Sequence, residues 1–207
     1  MIHPDTRLQL IDDRIGNGVV AARHIPKGTV IWMRDALDQV FERERLAALP
    51  PTLRFHLELY SYVDLDGTLI LPWDHGRQVN HSCEPTTTTI GNFLEVANRD
   101  LAPGDEITCE YGIGFFTIPF DCTCGAPRCR RDSRAMPSEA DFRRWDAEAA
   151  DVYAHALTVD QPVLASMTEG QPGAWILKAM RERRPITLPS WVKGATAADW
   201  HDGPSDS

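Results

Sequence analysis

Cys122, Cys124 and Cys129 form a Cys-x-Cys-x4-Cys cluster, and Cys83 stands upstream in Asn80-His81-Ser82-Cys83-Glu84-Pro85. Clustered thiolates suit Zn²⁺, yet three of them leave a tetrahedral ion one ligand short. One or two disulfides are the competing reading of the same residues. Asn80 and His81 are compact donors and acceptors of the kind that orient a small molecule between apolar walls. Taken alone, their segment reads as a hydrogen-bonded turn beside a free thiol. Leu59-Tyr60-Ser61-Tyr62-Val63 offers a phenol hydroxyl from Tyr60 or Tyr62. Helical spacing with Leu53 and Leu57 equally makes Tyr60 an ordinary core aromatic.

Gly16-Asn17-Gly18 follows a strand-like run, but the third glycine of a dinucleotide loop is absent and the next residues read as strand. A hairpin bend is the plain interpretation. The 207 residues suit one medium domain with an appendage, and 43% apolar and 25% charged residues are ordinary for a globular protein. A formal net charge of −9 argues against general binding to DNA or RNA, which rests on clustered Lys and Arg. A basic protein segment suits such a surface better. Residues 1–5 lack the pattern of a signal peptide, and no apolar run approaches the roughly 20 residues that span a bilayer. Five cysteines, an odd count, favour metal or free thiols in a reducing compartment. These features together predict a soluble intracellular, cytoplasmic protein with no membrane contact.

Short strands are expected at residues 7–12, 19–22, 30–33, 68–71, 87–90, 93–97 and 106–110, with turns at Ile25-Pro26-Lys27-Gly28, Asp64-Leu65-Asp66-Gly67 and Ala102-Pro103-Gly104-Asp105. Gly91-Asn92 joins the two strands of a hairpin. Pro50-Pro51 marks the start of a helix carrying Leu53, Leu57 and Tyr60. Ser138-Glu139-Ala140-Asp141 has the form of a capping box, and Phe142, Trp145, Ala149, Val152, Tyr153 and Ala156 then share one helical face. A second helix is predicted near Trp175–Arg184, ended by Pro185, with Arg181-Glu182-Arg183-Arg184 as a solvated helix end.

These ordered segments resemble the SET-domain protein lysine methyltransferases. Arg77-Gln78-Val79-Asn80-His81-Ser82-Cys83-Glu84-Pro85 is similar to that family's Arg-Phe-x-Asn-His-Ser-Cys-x-Pro-Asn. Glu106-Ile107-Thr108-Cys109-Glu110-Tyr111-Gly112 is similar to its Glu-Leu-x-Phe-Asp-Tyr-Gly, and Cys122 through Cys129 to its post-SET segment. Gln78, Thr86 and Glu110 depart from the pattern. The resemblance covers roughly residues 5–131. It implies a β-rich α+β fold of short strands in several small sheets, with a knot-like C-terminal threading. The expected plan is a SET domain at 5–120, a zinc-binding post-SET segment at 121–131, a helical extension at 138–200, and disorder from 201 to 207.

The resemblance also implies chemistry. S-adenosylmethionine would be the methyl donor, held near Gly16, Asn17, Gly18, Arg77, Asn80, His81 and Tyr111. Tyr111 would be catalytic, as an orienter of the reacting nitrogen, with Tyr60 or Tyr62 as a second channel hydroxyl. Structural Zn²⁺ would take Cys83, Cys122, Cys124 and Cys129, so that the Asn-His-Ser-Cys thiol completes the shell. The implied activity is transfer of a methyl group to a lysine amine of a protein substrate. A catalytically silent, zinc-stabilised protein-binding module is the alternative, and a methyltransferase acting on another amine is a third reading.

Overall fold

The computed structural model describes residues 1–113, 120–132 and 135–203. β1 (Thr6–Asp12) and β2 (Gly16–Ala21) make an antiparallel hairpin. Gly16 turns it with a φ of 82°, a left-handed conformation that glycine adopts without a Cβ penalty. β10 (Glu106–Cys109) pairs antiparallel with β2 and, on its other edge, parallel with the short β7 (Asn80–His81). The resulting order, β1-β2-β10-β7, seats the Asn-His pair directly beside the strand that leads to Tyr111.

A second sheet has the order β3-β9-β8, from β3 (Val30–Met33), β8 (Thr87–Ile90) and β9 (Leu94–Ala97). Gly91 and Asn92, at the turn between β8 and β9, both take left-handed conformations that suit Gly and Asn. A third sheet joins β4 (Gln39–Phe41), β5 (Tyr62–Val63) and β6 (Leu69–Leu71) in the order β4-β6-β5. Several small sheets of short strands, with few helices, are the β-rich α+β architecture expected from the sequence. β4, β5 and the five-residue α1 (Arg43–Ala47) carry too few residues for a periodicity to be read.

α2 (Pro51–Tyr60) starts at the predicted proline, but its expected apolar face is not a core face. It buries only Leu57, while Leu53 and Tyr60 remain exposed. α3 (Glu139–Ala156) has the predicted capping box, with Ser138 Oγ accepting from Asp141 N–H and the Asp141 carboxylate accepting from Ser138 N–H. Trp145, Ala149, Val152, Tyr153 and Ala156 are buried as predicted, against β8 and β9. α4 (Ala174–Arg181) and α5 (Ala197–His201) complete this side of the molecule. Ile176, Leu177 and Trp200 share one core with Val30, Met33, Ile90 and Leu94, so the helices and the second sheet bury each other.

The expectation of disorder from residue 201 fails for the residues that are described. α5 has its own capping box at Thr196 and Asp199, Trp175 Nε1 donates to Trp200 O at 3.0 Å, and Gly203 lies against the Trp175 ring. Residues 204–207 lie outside the described residues. A separate core of Val19, Ala21, Ile31, Ala97, Leu101 and Ile107 locks β2 and β10 against β3. That packing fixes the end of β10, and with it the position of Tyr111.

Candidate active site and metal centre

Cys83, Cys122, Cys124 and Cys129 come together, with all four Sγ atoms within 4.8 Å of one another. Cys83 Sγ lies 3.9 Å from Cys122 Sγ. Tetrahedral Zn²⁺ with Zn–S bonds of about 2.3 Å separates its sulfurs by about 3.8 Å, so the donor set fits that ion in type, number and spacing. No disulfide joins any of the cysteines. Backbone N–H groups already point at the sulfurs: Cys83 N–H donates to Cys124 Sγ at 3.4 Å, and Arg130 N–H to Cys83 Sγ at 3.5 Å. Burial opposes ionisation of Cys124, yet the N–H groups of Cys83 and Ala126 bring it down to about 7.

His81 links this cluster to the neighbouring cleft. His81 Nδ1 lies 3.2 Å from both the Tyr111 N–H and the Cys109 carbonyl oxygen, and Nε2 lies 3.2 Å from Cys83 Sγ. Burial lowers the His81 pKa, which favours the neutral ring. The rings of Tyr111 and Phe120 lie 5.1 and 5.8 Å from the imidazole.

The cleft has a volume of about 870 Å³ and is lined by Gly16, Asn17, Tyr60, Arg77, Asn80, His81, Tyr111 and Phe120, among others. That size lies within the range of pockets for cofactor-sized ligands. Nothing lies within 4 Å of the place a Cβ would take on Gly16, which leaves the backbone there open to a ligand. Gly18 is different. A Cβ there would sit 2.7 Å from Asn80 Nδ2 and 2.8 Å from Glu106 Oε1, so this glycine makes room for a protein contact rather than for a ligand. Asn80 Nδ2 donates to Glu106 Oε1 at 2.9 Å and to Asn17 O at 3.3 Å, which ties β7 to both the β1–β2 bend and β10.

A smaller cavity of about 100 Å³ adjoins the cleft and shares Leu59, Tyr60, Arg77, Val79 and Tyr111 with it. Tyr111 OH donates to Val79 O at 2.7 Å, which holds the phenol in this common wall. Burial pushes its pKa well above the ordinary tyrosine value, so it is neutral at physiological pH. Tyr60 is 38% exposed, with the Arg77 guanidinium 5.9 Å from its ring centre, and so is no core aromatic. Tyr62 is the more enclosed of the two candidates. Its hydroxyl is buried beside the small cavity without a hydrogen-bond partner among the described residues, and its ring packs edge-on against Trp32 at 5.8 Å.

Residues 16–112 match the SET domain family. That segment is a SET domain. It is 30% identical over 172 residues to the histone-lysine N-methyltransferase ASHH3 of Arabidopsis thaliana, across 75% of this chain and 46% of that protein. It is 28% identical over 141 residues to the putative histone-lysine N-methyltransferase ASHH4 of the same plant, across 60% of this chain and 38% of that one. Histone-lysine N-methyltransferase Suv4-20 of Caenorhabditis briggsae is 35% identical over 78 residues, 36% of this chain and 24% of the relative. The chain thus spans less than half the length of these relatives. Among solved structures, the methyltransferase domain of human histone-lysine N-methyltransferase SETMAR aligns with a TM-score of 0.45 at 17% identity, covering 67% of this chain and 60% of that one.

Each departure of this SET domain from the family pattern has a local account or a place in the site. Thr86 Oγ1 accepts from Thr108 N–H at 2.9 Å and Thr86 N–H donates to Thr108 Oγ1 at 3.1 Å, a long-range clasp onto β10. Glu110 is buried and binds the Arg130 guanidinium through both carboxylate oxygens, which ties the end of β10 to the cysteine-rich segment. Gln78 lines the large cleft. Sequence reasoning missed Phe120, whose only signal was an aromatic just ahead of the cysteine cluster, and Glu95, a lone acid within an apolar strand.

Proposed function

We propose that this SET domain is an S-adenosylmethionine-dependent protein lysine N-methyltransferase. The observation that carries the reading is the common wall of Tyr60, Arg77, Val79 and Tyr111 between a cofactor-sized cleft and a cavity with room for the end of an alkylamine. When bound in the cleft, the donor supplies an electrophilic methyl group on a positively charged sulfur. Gly16, Asn17, Arg77, Asn80, His81 and Phe120 would hold it, with Gly18 acting one step back by admitting the Asn80–Glu106 contact.

The chain's own residues orient and desolvate the nucleophile. A lysine amine has a pKa near 10.4, so fewer than about one in a thousand is neutral at pH 7. Burial in the small cavity disfavours the ammonium form. Tyr111, with its hydrogen committed to Val79 O, presents oxygen lone pairs that accept from an amine N–H. It acts as a neutral orienter, because its raised pKa keeps the phenolate out of reach. Four thiolates close the shell of a structural Zn²⁺, whose task would be to hold residues 122–130 beside His81. The relatives named as histone-lysine methyltransferases and the net charge of −9 favour a basic protein substrate.

The test is labelled-methyl transfer from S-adenosylmethionine to a mixture of core histones and ribosomal proteins, run with wild type and Tyr111→Phe. Wild type is expected to label at least one protein on lysine. Tyr111→Phe is expected to lose roughly 10²–10³ in turnover, the scale of one lost orienting hydroxyl, with donor affinity nearly kept. Absence of donor binding by the zinc-loaded protein in calorimetry would sink the enzyme reading and favour the silent binding module.

A further inference from the structure

The small cavity contains a carboxylate that the reading above does not use. Glu95 sits on β9 and faces the cavity, which accounts for its partial exposure, and protein surrounds it on its other sides. Thr89 Oγ1 donates to Glu95 Oε1 at 2.7 Å, and Thr87 Oγ1 donates to Oε2. No cation pairs with Glu95 among the described residues. The other carboxylate lining the cavity, Glu110, is already engaged by Arg130. The titratable neighbours that face Glu95 are Tyr62 from β5, Cys109 from β10 and Glu110 just after it, and none of them brings a positive charge. Arg77 lines the same cavity, with its guanidinium over the Tyr60 ring.

A carboxylate enclosed without a counter-ion is costly, and the site lowers that cost by binding a cation. We propose that Glu95 is a further catalytic residue, which draws in the ammonium end of the substrate side chain and accepts its proton. This deepens the methyltransferase reading and rests on it for the chemistry that follows. The transfer is balanced: one N–H bond of the ammonium breaks, an O–H bond forms on a Glu95 oxygen, and the amine keeps the electron pair with which it attacks. The proton then leaves to solvent through the adjoining cleft. The two threonine hydroxyls fix the carboxylate in one rotamer, so that its remaining lone pairs face the cavity.

Chemistry and environment agree with that role. Burial, with the Glu110 charge adding to it, pushes Glu95 up to about 7 against the two threonine hydrogen bonds. An acceptor near that value is ionised often enough at neutral pH to receive a proton and weak enough to release it. From a lysine ammonium at its solution pKa, transfer to Glu95 in this environment would run uphill by about three pKa units, and desolvation of the ammonium in the same cavity narrows that gap. The substrate class is therefore an unbranched alkylamine that arrives as a cation. An uncharged isostere would leave Glu95 unpaired.

The experiment uses the full zinc-loaded chain, wild type and Glu95→Gln, with n-butylammonium as probe and n-butanol as its uncharged control. Carbon-13 NMR follows the Glu95 carboxyl through a pH titration. The expected result is a midpoint near 7 that falls by a unit or more with n-butylammonium and does not move with n-butanol. Methyl transfer to core histones should fall at least 100-fold in Glu95→Gln, and the wild-type inflection near pH 7 should vanish. A midpoint indifferent to the amine, or a Glu95→Gln pH profile matching wild type, would overturn the proposal. A midpoint that responds to the amine in a protein that labels no histone or ribosomal protein supports the amine site and refutes the methyltransferase reading.

Discussion

His81 Nε2 lies 3.2 Å from Cys83 Sγ, while Nδ1 of the same ring lies 3.2 Å from the Tyr111 N–H. One imidazole therefore touches both the four-thiol cluster and the residue at the wall of the small cavity. Groups that hydrogen-bond to a metal's ligands tune its affinity and orient the ligands. Cys83→Ser is expected to take zinc from one per chain to near none by metal analysis. His81→Ala is expected to lower zinc affinity by roughly 10–100-fold in a chelator competition. If calorimetry shows S-adenosylmethionine binding unchanged in both variants, metal centre and cleft are uncoupled.

Tyr60 and Tyr62 are separable by stability as well as by rate. The Tyr62 hydroxyl is buried without a hydrogen-bond partner among the described residues, whereas Tyr60 is partly exposed. Tyr62→Phe should therefore leave thermal stability unchanged or raise it by about 1 kcal/mol, since it removes an unsatisfied polar group. The same change should slow methyl transfer if that hydroxyl contacts the amine. Tyr60→Phe should alter KM more than kcat. A Tyr62→Phe enzyme with wild-type kinetics would leave Tyr111 as the one channel phenol with a role.

Gly18→Ala places a methyl group 2.7 Å from both Asn80 Nδ2 and Ile11 Cγ1. Overpacking of this kind costs about 1–3 kcal/mol. Denaturant melts should show that loss, and donor binding should weaken as the Asn80–Glu106 contact is displaced. Gly16→Ala has open space around the new methyl but must hold a φ of 82°, so its penalty is conformational.

Trp200 is fully buried, in a short helix at the end of the described chain. Trp200→Ala should cost about 3–5 kcal/mol in chemical denaturation, the range for large core aromatics. A loss under about 1 kcal/mol would mean that α5 is an appendage rather than part of the core shared with β3, β8 and β9.

Much of the site was legible because its chemistry is written in short, ordered segments. Asn80-His81-Ser82-Cys83, Glu106 to Gly112 and the Cys-x-Cys-x4-Cys cluster carry residue types with few other uses at that spacing. Alternating apolar runs and turn residues likewise marked β3, β8, β9 and β10 to within a residue or so. The sequence by itself thus determined the strand-rich class, the identity of the four thiols and the resemblance to a family.

Tertiary structure alone decided which side chains meet. Thr86 and Thr108 are 22 residues apart, and Glu110 reaches Arg130 across 20. No local pattern records such partners, because strand pairing brings them together only after β10 inserts between β2 and β7. Tyr60 kept its helical spacing and still faced the cleft, since periodicity defines a helix face but not what covers it. Glu95 looked like an ordinary polar residue in a strand until β8, β9 and β10 enclosed it. Burial is a property of the packed whole, and it is burial that converts that side chain from a surface charge into an acceptor poised near neutral pH.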